Sequence, residues 1–245
     1  MQAVTGDIQS IQQTINDIVT ACNKTDRTGL QADPGTDLPV LANALTSLQE
    51  VMLRVQGDAG ADRTTGTEDV TEIGDYAIRL IENLAATTEK LGLHEQKNAL
   101  VDLFLNVGLW IAHQGGLIDT LEPIVDAVAM VANTTRDPQE LAALSEVIRQ
   151  IIEAVPAVIS QDLETVNPGR PWRVLLLNHC IVATRSHNTD LMEAAFAVLT
   201  ESLPADAPRF FSEGMQQMDA LDYPDHVRKV MEKYHRKWNV DRSLH

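Results

Sequence analysis

Seven histidines are the residues in this chain best suited to hold a metal or move a proton near neutral pH. They are His94, His113, His179, His187, His226, His235 and His245. No two stand three or four residues apart, so no helix turns two imidazoles toward one ion. One Glu-x-x-His occurs, from Glu232 to His235. A di-iron bundle needs two such motifs and two further glutamates, so this single spacing reads as chance. His179-Cys180, with His187 two turns on, raises thiolate–imidazole chemistry. Adjacent helical residues point about 100° apart, so a base for Cys180 would have to come from another helix. A buried structural cysteine and an interhelical hydrogen-bonded histidine are the plainer readings. His-Glu-x-x-His, Gly-x-x-x-x-Gly-Lys and Gly-x-Ser-x-Gly are all absent. No cofactor and no metal ligand set is expected.

The segment Leu93-His94-Glu95-Gln96-Lys97-Asn98 resembles histidine phosphotransfer domains, which present an exposed helical histidine followed three residues later by lysine. That resemblance implies a phosphorelay carrier with His94 as acceptor. Asn98 stands where the family has glycine, and His94 falls at the start of its helix rather than within it.

Charge and aromatic residues direct attention to the surface. The 245 residues carry a formal net charge of −16, which repels phosphate backbones and anionic lipid. Neither nucleic acid nor membrane is expected as a partner. The charge is uneven: residues 1–170 carry 10 Lys+Arg against 25 Asp+Glu, and residues 171–245 carry 9 against 10. The last helix is locally basic, with Lys229, Lys233, Arg236 and Lys237 near its end. Such cations suit a helix C-terminus, and they also suit an acidic partner. Trp110, Trp172 and Trp238 fit apolar stripes as well as they fit partner anchors. Arg170-Pro171-Trp172-Arg173 has two readings. It is either a contact point for acidic groups or a helix start whose tryptophan turns inward while both arginines pair with local acids.

The elements that would carry these residues are helices. Apolar residues recur with a period near 3.6, and no stretch alternates as a strand does. The chain is expected to be all-α, with about ten helices in antiparallel hairpins. Ile8, Ile11, Ile15 and Ile18 mark a first helix over residues 7–24, which either pairs with its copy in a homo-oligomer or docks on its own domain. Asp37 is expected to cap a second helix. Residues 57–67 are small, polar and glycine-rich, and read as a linker between a helical pair at 1–56 and a hairpin domain at 68–245. Further helices are expected at 68–91, 94–114, 117–133 and 138–154. A broken segment, 156–170, then precedes four more, beginning at Pro171, Thr189, Ala207 and Pro224. Asp137-Pro138-Gln139-Glu140 is a strong helix start. The tail after Val240 reads as frayed.

Hairpins of about 35–45 residues make residues 67–240 resemble tetratricopeptide and HEAT repeats. The tetratricopeptide residue signature is not met, so the resemblance implies only an α-α superhelix and partner binding on a concave face. A closed multi-helix bundle is the competing architecture. Two widely spaced cysteines and the lack of a basic-then-apolar leader suggest a cytoplasmic protein. The expected function is a non-enzymatic protein–protein interaction or scaffold module. An enzyme or metal protein with an inter-helix pocket is the alternative, and a phosphorelay carrier a second alternative.

Overall fold

The computed structural model describes residues 4–25, 38–57, 66–163 and 165–239. Asp37, most of the 57–67 segment and the tail from Val240 lie outside the described residues. Among the described residues the fold is all-α: eleven α-helices, one 3-10 turn and no strand. None of these helices is long and apolar enough to cross a membrane. The chain divides into two compact units, Met1–Val131 with Glu153–Pro156, and Ala132–Ile152 with Ala157–His245.

The first unit holds α1 (Ile8–Thr25), α2 (Leu38–Gly57), α3 (Thr67–Lys90), a 3-10 turn (His94–Gln96) and α4 (Lys97–His113). On α1 the stripe Ile8, Ile11, Ile15, Ile18 and Cys22 is entirely buried, and the helix packs on both α2 and α4. The stripe therefore docks within its own unit. Because α3 also packs on α2 and α4, the four helices form a closed ring. A linear stack of repeats, in which each touches only its neighbours, lacks this closure. The most apolar of the four is α4, which is buried on almost every side from Leu100 to Ile111. Its one buried amide, Asn106, accepts the backbone N–H groups of Thr5 and Gly6 at 3.0 and 3.1 Å and donates to the Asp102 carbonyl. That clamp fixes the chain entering α1.

The next helix, α5 (Glu122–Thr134), starts later than residue 117, where the sequence pattern placed it. Pro123 is the cause. Its ring would strike the carbonyl four residues back, and it disfavours a helical residue before it. The preceding segment instead ties its N–H groups across the unit. Leu117 donates to Thr71 Oγ1, Ile118 to the Ala154 carbonyl and Thr120 to Asp75 Oδ1. The division between the units falls within α5.

In the second unit, α6 (Pro138–Glu153) lies within the unit for all but its last residue and begins as its sequence dictates: Asp137 Oδ1 accepts from the N–H groups of Gln139 and Glu140. A single turn, α7 (Ala157–Ser160), interrupts the expected broken segment and raises the helix count to eleven. Then come α8 (Pro171–Arg185), α9 (Thr189–Ser202), α10 (Ala207–Ala220) and α11 (Asp225–Asn239). The pairs α8–α9 and α10–α11 are hairpins of 32 and 33 residues, somewhat shorter than expected, and they join where α9 meets α11.

Close helix approach in the first unit depends on Gly74. A Cβ there would lie 2.5 Å from Cδ1 and Cγ1 of Ile111. Gly74→Ala is expected to cost about 1–3 kcal/mol by overpacking, read as a lower denaturation midpoint. An unchanged midpoint would mean that α3 and α4 separate freely.

Candidate functional site

The residues that shape the second unit are its aromatics. Phe196 on α9 meets Phe210, Phe211 and Tyr234 edge-on, with ring centroids 5.8, 5.1 and 5.1 Å away. Beside this cluster Glu193 accepts from Lys233 Nζ at 2.7 Å and from the Tyr234 hydroxyl at 2.8 Å. The Lys233 hydrogen bond holds the Glu193 carboxyl below its usual range. Burial, followed by the hydrogen bond to Glu193, pushes the Tyr234 hydroxyl up to about 12. Together these contacts pin α11 on α9.

Pinned there, the hairpins hold α8 and α10 apart, and a groove of about 740 Å³ opens between them. The two walls run in the same direction. At one end Arg173 of α8 donates to Asp206, just before α10, at 2.7 and 2.8 Å. At the other, Thr184 and Arg185 of α8 share the groove with Leu221 and Tyr223, just after α10. On α8 the lining residues Arg173, Leu177, Ile181 and Arg185 are spaced by four, one straight row along the helix. Phe210, Met218 and Met231 supply apolar surface opposite. Gly214 lets α10 lie close on α11, because a Cβ there would be 2.7 Å from the Met231 sulfur. Ile181 and Leu221 remain 43% and 52% exposed.

The groove continues past Arg185 into a recess of about 240 Å³ lined by Arg136, His187, Asp222 and Tyr223 among others. Arg185 spans the α5 terminus and donates to the carbonyls of Ala132 and Thr135, where a helix C-terminus favours a cation. His187 ends α8 in the left-handed region, φ 58°, which a non-glycine residue adopts at a cost. Edge-on contact with Tyr223 and a hydrogen bond from His226 Nε2 to its carbonyl hold it there.

The residues singled out from sequence are distributed as follows. Trp172 is buried, and so is Arg170, whose guanidinium pairs with both carboxylate oxygens of Asp162 and donates to the Asn167 carbonyl. Arg173 reaches the groove. Trp110 is buried in the first unit, and Trp238 is half-buried. On α11, Lys229, Lys233, Arg236 and Lys237 lie exposed, opposite buried Val227 and Met231. Lys233 pairs with Glu193 and Arg236 with Glu232. The groove residues Ile181, Phe210 and Leu221 carried no functional signal in the sequence. Ile181 read as part of the inner stripe.

The chemical constellations do not assemble. Among the described residues, no three His, Cys, Asp or Glu side chains gather to hold a metal ion. Cys180 is fully buried, donates to the Ala195 carbonyl, and has its thiol pushed far above the ordinary range by burial. His179 faces α6, beside Ser145, Glu146 and Arg149, instead of presenting a base to Cys180. His94 is exposed on the 3-10 turn, outside any α-helix. No family model, curated protein or solved structure matches the chain.

His179 gives a pH dependence with a definite sign. Burial first, opposed by a hydrogen bond to the Ser145 backbone, lowers its pKa from the ordinary 6.5 to about 4. The folded state therefore resists a proton that the unfolded chain accepts. The stability this preserves is complete above pH 6.5 and is lost as pH falls toward 4. His179→Gln, which keeps a donor and cannot titrate, is expected to flatten the slope of stability against pH in that window. An unaltered slope would assign the acid sensitivity to other groups.

Proposed function

We propose that the protein is a non-enzymatic protein–protein interaction module and that the α8–α10 groove is its docking face. The groove itself carries the reading. It is a long channel between two helical hairpins in which Leu177, Ile181, Phe210 and Leu221 present apolar surface beside Arg209, Glu213 and Gln217. The α8–α11 hairpin pair supports a helical-repeat-like organisation of this unit, with the groove in the place of a concave binding face. In this reading Arg173 contributes a polar rim, while Arg170 and Trp172 brace the start of α8 from within. Lys229, Lys233, Arg236 and Lys237 form a second, cationic contact strip for acidic groups on the same partner. Two buried cysteines that form no disulfide favour a reducing compartment such as the cytoplasm.

Capture from native lysate at moderate salt, with identification by mass spectrometry, tests the proposal. A partner is expected in stoichiometric amount with the parent chain. Ile181→Asp should release it. Reversing Lys229 and Lys237 to Glu, which leaves the Lys233–Glu193 contact in place, should weaken capture without lowering helicity. A partner insensitive to both changes, or no partner at all, would overturn the reading.

A further inference from the structure

We infer that the groove and the recess together receive one amphipathic helix with its acidic residues at the end that enters the recess. The inference rests on the interaction reading above and specifies its partner. Three observations carry it. The first is length and shape. The α8 row from Arg173 to Arg185 runs about 18 Å, the length of a 12-residue helix. Its lining at intervals of four matches the ridge spacing of a second helix.

The second is backbone satisfaction. Both walls are α-helices whose backbone groups bond within the helices, so neither offers a peptide a free backbone edge. Of the polar side chains that line it, the Thr184 hydroxyl is committed to the Cys180 carbonyl and Glu213 accepts from Arg209, while the Gln217 amide stands exposed on α10. An extended peptide would find a few side-chain partners and no backbone edge there for its own row of N–H and C=O groups, whereas a helix brings them satisfied.

The third is the difference in charge between the two ends. Near the starts of α8 and α10, Arg173 pairs with Asp206 and Arg209 with Glu213, so that end is neutral. At the recess, Arg136 and Arg185 have no carboxylate partner among the described residues, and His187 and Tyr223 stand beside them. Asp222 is the single acid lining the recess. Against the neutral opposite end, this cationic end sets the polarity of the bound helix.

A library of random 14-residue peptides displayed on phage, selected against the full chain, tests the inference. The expected enriched sequences repeat apolar residues at intervals of three and four and cluster Asp or Glu at one end. Synthetic copies should become helical on binding and weaken at least tenfold with Ile181→Asp, a change at an exposed position whose folding is checked by circular dichroism. Arg136→Glu should weaken them about fivefold or more, and replacing the peptide's acids by Lys should restore binding to that variant. Groove-bound peptides without helical spacing, or without the charge exchange, would overturn this inference and leave the interaction reading standing. Binding of a fluorescent long-chain fatty acid that Ile181→Asp abolishes, with no peptide enriched, would overturn both.

Discussion

Phe196 stands where α9, α10 and α11 meet, and three other aromatic rings close around it. The chain has only ten aromatic residues in all, so placing four of them at one junction concentrates rigid contact surface where two hairpins join. Glu193, shared between Lys233 and Tyr234, sets the rotation of α11 about that pivot. The distance between α8 and α10 follows from this arrangement. Among the described residues, the ion pairs that bridge those two helices lie at one end of the groove, from Arg170 and Arg173 to Asp206. Loss of the aromatic pivot would therefore let the groove walls collapse together while each hairpin kept its own helices.

The two units use amphipathic helices in opposite ways. In the first, the ring of α1–α4 turns its main apolar stripes inward, and the buried amide on α4 bonds through both its oxygen and its nitrogen. In the second, α8 is apolar on two sides. Trp172, Leu175, Leu176 and Cys180 are buried, while Leu177 and Ile181 form the groove wall. A helix with two apolar sides, one of them left uncovered, leaves surface that water solvates poorly. Surface of this kind distinguishes the candidate site from the core without any catalytic side chain.

Most of the helices were legible in the sequence because their apolar residues recur at 3.6, as in the isoleucine stripe of α1 and the Asp137-Pro138 start of α6. The late start of α5 was legible in principle from Pro123, but the apolar run from Leu117 outweighed it. Packing of α1 against α4 was not legible, since it joins residues about 100 apart and leaves no local trace. The groove was hidden for a related reason: it arises where α8 and α10 fail to touch. Ile181 has the same spacing from Leu177 that a core residue would have, so sequence pattern placed it inward. Arg170 and Arg173 differed in a way that spacing alone could not reveal. The residue that pairs with Asp162 is buried, and the one that pairs with Asp206 borders the opening.

Each unit encloses one thiol, Cys22 in the first and Cys180 in the second, and both are buried and outside any disulfide. Neither reacts with an alkylating reagent until its own unit opens, since the nucleophile is an exposed thiolate. The rates at which the two cysteines become labelled therefore report local opening of each unit separately. The protein carries, in its native sequence, an independent chemical clock for each half of its fold.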